Sequence, residues 1–293
     1  MLFSAELSPR CLPSQIPEHA KALESCGFHR IWVRDMFTVP WELWSAASAV
    51  ALSTSRVRIG VDVTNPYTRS PLVTAHAAVT IDNLSGGRLD LGLGKGIEEF
   101  LKKAGLEPKD TALEEAVLVI GDLVSGKRVF HKGRSFSFRD VQLPIAAVQQ
   151  KLPIWIAAME DEGFRSAGCL ADGVLTISAR RPFLEKALGW LGKPLPVATW
   201  LPYSSSREEL ASYLDDLLPR LPGQILEEMG LEKEWVSREE MLDGFAVCGP
   251  GDLVEKAGRL EGLGVSEIIL EYFRLEDLKD LREVLTSRGG HGA

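Results

Sequence analysis

Arg58-Ile-Gly-Val-Asp-Val-Thr-Asn-Pro-Tyr-Thr-Arg-Ser-Pro71 joins an apolar strand to a helix through a dense run of polar and turn-forming residues. Val57 to Val63 has the β-branched enrichment of a strand, and Pro66, which has no N–H for a ladder, stops it. Proline after Asn65 biases that residue toward extended backbone, and Ser70-Pro71 supplies an N-cap followed by proline at the first helical position. The pattern predicts a helix from Pro71 to Leu84. Strand, loop and helix make one βα unit, and loops on that edge hold ligands in parallel α/β folds. This loop offers Thr64, Asn65, Tyr67, Thr68 and Arg69; an ordinary capped turn is the alternative reading.

The same unit recurs on both sides. Strands are predicted at Leu2–Leu7, Arg30–Val33, Arg88–Leu93, Pro153–Ala157, Gly173–Ile177, Leu195–Trp200 and Glu267–Tyr272, with a helical pattern after each. Gly27 and Ser85-Gly-Gly87 read as helix stops. Lys127 to Leu143 alternates like a small excursion with a turn at Gly133, and Ser206 to Met241 reads as a helical insertion before the last strand. Eight strands alternating with helices predict an α/β fold, a (β/α)8 TIM barrel, over residues 1–286, with a flexible tail from Ser287 to Ala293.

Bulk properties narrow the function. The 293 residues are 45% hydrophobic and 25% charged, and no apolar run approaches the ~20 residues that span a bilayer. The N-terminus lacks a basic region followed by a long apolar core, so a cytoplasmic protein without a signal peptide is expected. A net charge of −8 argues against generic nucleic-acid binding. Cys11, Cys26, Cys169 and Cys248 are dispersed, with no C-x-x-C pair and no histidine arrangement for zinc, so no metal is expected.

In such a barrel the reacting groups lie at the C-terminal ends of the strands. Glu6 and Asp35, from neighbouring strands, can orient a substrate or donate a proton, or can be structural carboxylates. Gly92-Leu-Gly94-Lys95-Gly96 lets backbone approach a ligand and offers N–H groups to an anion, or is simply a turn. Ala157-Ala158 ends the fifth strand. His76 falls inside a helix, away from the mouth, and reads as a surface or packing residue rather than a catalytic one; Trp32, Trp41 and Trp44 read as packing residues more readily than as walls for a flat ligand.

Val63 to Pro71, Leu84-Ser-Gly-Gly-Arg88, Gly92 to Gly96, Gly27-Phe28 through Trp32 with Asp35, Ala171-Asp-Gly173 and Gly249 together resemble the bacterial-luciferase-like superfamily, most nearly its archaeal deazaflavin-dependent methylenetetrahydromethanopterin reductases. The resemblance spans nearly the whole chain. It implies coenzyme F420, or alternatively FMN, at the barrel mouth, and hydride transfer between the ring and a small organic substrate, a methylene-pterin in the reductases. It further implies a non-proline cis peptide at Asp62–Val63 behind the ring, cofactor contacts from Asp62, Val63, Thr64, Asn65, Arg69, Gly94, Lys95, Gly96, Ala157 and Ala158, Glu6 and Asp35 as catalytic carboxylates, and a homodimer. Two positions depart from the pattern. Met36 stands where histidine is common, and Ala157-Ala-Met-Glu-Asp-Glu-Gly163 replaces a glycine-containing phosphate loop, with Arg165 the nearby cation. An FMN-dependent monooxygenase, a non-catalytic flavin- or deazaflavin-binding protein and a cofactor-free barrel acting on a phosphorylated metabolite are the other readings.

Overall fold

Alternation along the strands divides the apolar residues into two sets, and the computed structural model, which describes residues 1–109, 111–220, 223–228 and 237–288, puts the sets on opposite faces of one sheet. The strands are β1 (Leu2–Glu6), β2 (Arg30–Val33), β3 (Arg58–Val61), β4 (Leu89–Leu93), β5 (Ile154–Ala157), β6 (Gly173–Thr176), β7 (Val197–Ser204) and β8 (Glu267–Tyr272). Each pairs in parallel with the next, and β8 pairs with both β7 and β1, so eight strands close into a barrel surrounded by helices. Phe3, Ala5, Ile31, Val33, Ile59 and Val61 face outward under the helices. Trp32, Trp155, Leu175, Ala198 and Ile269 fill the lumen.

Glycine makes that filling possible. A Cβ at Gly60 of β3 would lie 2.1 Å from the Trp32 ring, and one at Gly173 of β6 would lie 2.5 Å from the Trp155 ring. The two indoles meet edge to face, with centroids 5.7 Å apart. Beneath them Arg30 stacks on both rings, donates to Asp90 at 2.7 Å and to Glu267 at 2.5 Å, and Glu267 also accepts from Trp32 Nε1. Charges in a low-dielectric interior persist only when paired in this way. The lumen is therefore plugged from below, and any ligand enters from the strand C-terminal ends.

The elements match the sequence periodicity, with differences that have local causes. The ladder of β3 ends at Val61, before Pro66; the Asp62–Val63 peptide is cis, and Thr64 rejoins by an isolated bridge to Leu93. Ser70 caps helix Pro71–Ser85 by accepting from Val73 N–H, and Gly86 ends it in the left-handed conformation. β7 is longer than predicted because its end pairs with a two-residue strand, Val247–Cys248. The excursion is an antiparallel hairpin, Val129–Lys132 with Ser137–Val141, turning at Gly133. The insertion after β7 is helical at Arg207–Leu217, Gly223–Glu228 and Arg238–Phe245, and the rest of it lies outside the described residues. The last helix, Arg282–Arg288, covers the first two residues of the expected tail; 289–293 lie outside the described residues. Among the described residues no helix is long and apolar enough to cross a membrane.

Candidate functional site

The inward-facing positions at the top of β1, β2, β3 and β8 bring Glu6, Arg34, Asp62 and Glu271 together. Glu6 and Glu271 are register neighbours, and both are fully buried. The Arg34 guanidinium reaches Glu6 through two nitrogens, both at 2.5 Å, and donates to Glu271 at 2.6 Å. Trp200 Nε1 also donates to Glu6, and the Tyr213 hydroxyl donates to Glu271 at 2.8 Å. Three carboxylates around one cation cannot all ionise without mutual repulsion. Burial, with Glu271 and Asp62 nearby, pushes the Glu6 carboxyl up to about 8 despite Arg34. Burial likewise pushes Asp62 up to about 6, with Arg34 opposing and Glu267 and Glu271 adding to the shift. Near neutral pH the cluster holds a proton on Glu6. Arg34 and Trp200 are its partly exposed surface, so Glu6 is a covered acid beneath them.

Above this cluster the loop after β3 is held by its own side chains. Asn65 Oδ1 accepts from the N–H groups of Tyr67 and Thr68, both at 3.0 Å, an Asx turn that fixes the loop's path. Thr64 Oγ1 donates to Asp35 at 2.7 Å, and Arg69 pairs with Asp35 at 3.4 Å and with Glu42. Asp35 is thus brought to the loop rather than to Glu6. The glycines of the fourth strand have a different task from the one read in the sequence. A Cβ on Gly92 would lie 2.1 Å from the Val61 carbonyl, and one on Gly94 would lie 2.8 Å from Val63. The Gly94 N–H donates to Thr64 O at 2.9 Å, so it is not offered to an anion. These glycines leave room for the backbone at 61–63 and for the Val63 side chain, and Val63, Ala157 and Trp200 pack against the aromatic cluster. The cap is a small apolar platform beside Arg34 and suits a planar ring.

The expected phosphate end fits poorly. Gly96 has the positive φ of 72°, and Lys95 beside it points to the fifth-strand loop, 2.8 Å from Glu162 and 3.4 Å from Glu160. Arg165 pairs with Asp161 one helical turn away. The Ala158 N–H is used by Leu175 O at 2.9 Å.

Among the other residues, His76 is exposed, the surface role of the two read for it, and Trp41, at 8% exposure, is already covered within the chain. An open groove of about 710 Å3 lies between helix Ala112–Val124 and the hairpin, with Thr111, Glu114, Glu115 and Arg134 on its walls and Glu162, from the start of the helix after β5, at its edge. Its Glu115 carboxylate is engaged by the N–H groups of Arg134, Ser135 and Phe136, which anchor the turn. Arg34, Trp200 and Tyr213 carry no motif in the sequence, whereas Glu271, near the C-terminal end of the last strand, is legible there as one of the groups at the barrel mouth. The signal for Arg34 was the alternation Arg30, Trp32, Arg34, which puts all three on the lumen face.

Comparison with known proteins agrees with this geometry. The family model for luciferase-like monooxygenases matches residues 5–188. The chain is 27% identical to the 5,10-methylenetetrahydromethanopterin reductase of Archaeoglobus fulgidus over 92% of each protein. It is 29% identical to the F420-dependent glucose-6-phosphate dehydrogenase of Microbacterium testaceum over 60% of this chain and 56% of that protein. The structure of the coenzyme F420 dependent tetrahydromethanopterin reductase from Methanopyrus kandleri superposes with a TM-score of 0.84 over 96% of this chain and 97% of that one, at 21% identity, a likeness of fold.

Proposed function

We propose that this chain, which belongs to the luciferase-like monooxygenase family, is an oxidoreductase that transfers hydride between coenzyme F420 and a small organic substrate. The observation that carries the reading is the platform of Val63, Ala157 and Trp200 lying directly beside the Glu6–Arg34 cluster. When bound, a deazaflavin supplies a carbon centre that gives or accepts a hydride. Val63, for which Gly92 and Gly94 leave room, would support one face of a bound ring, and the small side chain of Ala157 would leave space for it. Thr64 and Asn65 set the loop that carries Val63, and Arg69 anchors that loop through Asp35. Arg34 would orient polar atoms of a bound ligand, while Glu6, behind Arg34 and Trp200, holds a proton at its carboxyl near neutral pH. Asp35 acts here as a positioning residue for the loop.

FMN is the alternative cofactor that the resemblance implies. Equilibrium titration with F420 and, separately, FMN, followed by fluorescence, tests the reading. Saturable binding with preference for F420 is the expected result. Preference for FMN supports a monooxygenase, and binding of neither contradicts both.

A further inference from the structure

Helix Arg207–Leu217, the first part of the insertion after β7, is tied to the barrel mouth at several points. Ser206 caps it, and Glu209 in its first turn accepts from Ser204, at the end of β7, at 2.8 Å. Glu209 also pairs with Arg10 at 3.2 Å and with Arg274 at 3.0 Å, from the segments after β1 and β8. One turn further on, the Tyr213 ring packs against Phe273, with centroids 5.0 Å apart. These contacts deliver the Tyr213 hydroxyl to Glu271 of β8, to which it donates at 2.8 Å. Burial and the neighbouring Glu271 hold the phenol well above the ordinary tyrosine value, so it stays a donor.

The carboxyls it meets are unequally served. Glu6 and Glu271 are register partners on β1 and β8 and share Arg34, whose single charge neutralises one of them. Asp62 is the third carboxyl of the cluster, and Glu267 below is paired with Arg30. On Glu271 each oxygen has its own donor, Tyr213 on Oε1 and Arg34 Nη2 on Oε2. On Glu6 both donors, Arg34 Nη2 and Trp200 Nε1, fall on Oε2. Its Oε1 lies 2.5 Å from Arg34 Nε but out of hydrogen-bonding alignment, and is buried without a hydrogen-bond partner. Donors on both oxygens favour a buried carboxylate, and a bare buried oxygen disfavours one. Glu271 is therefore suited to the ionised form and Glu6 to the protonated form. Without the Tyr213 hydroxyl each carboxyl would have one bare oxygen, and Trp200 would then favour ionisation of Glu6 instead.

We propose that Tyr213 is a positioning residue for this site: its hydroxyl fixes Glu271 as the ionised partner of Arg34 and so keeps the shared proton on Glu6. The inserted helix is thereby part of the site. The proposal rests on the Glu6–Arg34 cluster of the functional reading above, but it concerns the protein's own proton and needs no cofactor for its test.

That test is a carbon-13 NMR titration of the glutamate Cδ signals, with Glu6 and Glu271 assigned through Glu6→Gln and Glu271→Gln. In wild type at neutral pH the Glu271 signal should be that of a carboxylate and the Glu6 signal that of a neutral acid, which ionises as pH rises through about 8. Tyr213→Phe keeps the ring against Phe273 and removes the hydroxyl. The preference of the proton for Glu6 over Glu271 should then fall about tenfold or more, seen as a neutral fraction appearing on Glu271. Tyr213→Leu serves for the same measurement should the first variant fold poorly. A neutral Glu271 in wild type, or an unchanged distribution of the proton in a folded variant, overturns the proposal. Failure of F420 and FMN to bind would overturn the cofactor reading alone.

Discussion

Glu6 is fully buried among like charges, and its proton is the feature most open to measurement. A carboxyl raised from 4.5 to about 8 favours the neutral form in the folded protein. Its contribution to stability is therefore complete below the unfolded value and is lost progressively as pH rises to about 8. Turnover that needs this proton should fall above about pH 8, and Glu6→Gln should abolish that limb of the profile and lower the rate about 100-fold or more. An unchanged limb in the variant would assign it to another group. Arg30 makes a separate prediction about stability. Arg30→Ala leaves Glu267 buried without its cation, so urea unfolding should show a loss of about 3–5 kcal/mol; less than about 1 kcal/mol would contradict the paired plug. Glu6 was legible in the sequence because a polar residue ending an apolar strand stands out. Its partner Arg34 was not, because its importance depends on Glu271, 237 positions away.

Loops and hairpins make predictions of their own. Gly94→Val places methyl groups against Val63, whose β-branched side chain is packed on the aromatic cluster and has little freedom to shift, so ring binding should weaken about tenfold or more and the melting temperature should fall as well. Unchanged affinity would remove the platform from the site. In the hairpin, partial burial pushes the Glu115 carboxyl upward, but hydrogen bonds from His131, the Phe136 and Ser135 N–H groups and Thr111 outweigh it and hold the group down to about 2. The clamp is fully present above its ordinary value of 4.5 and is lost as pH falls through about 2. Glu115→Gln should speed amide exchange at Arg134 to Phe136 roughly tenfold at neutral pH, and unchanged exchange would show that the charge is dispensable. Strand positions, the Ser70 cap and the Gly133 turn were all readable, because local propensity and chain punctuation determine them. The tasks of Gly92 and Gly94 were not, since they depend on β3 bulging against β4 across the sheet.

For the molecule as a whole, regular alternation of strands and helices was enough to predict the closed barrel, and right-handed parallel connections leave few other solutions. The charge balance at the mouth was half legible: three carboxylates after β5 were plain, but Lys95 meeting Glu160 joins residues 65 apart in sequence. The homodimer remains our proposal. Leu52, Val73 and Leu84 are 71%, 52% and 46% exposed on adjoining helices, and light scattering should give twice the chain mass if a second copy covers them. A monomer at micromolar concentration would contradict it. The central claim, a ring on the Val63–Ala157–Trp200 platform beside Arg34, is tested most directly by a crystal structure with F420 bound. The account predicts the deazaflavin packed against Val63 and Ala157 with Arg34 within hydrogen-bond reach of a ligand polar atom; a ring seated elsewhere, such as the groove beside the hairpin, would contradict it.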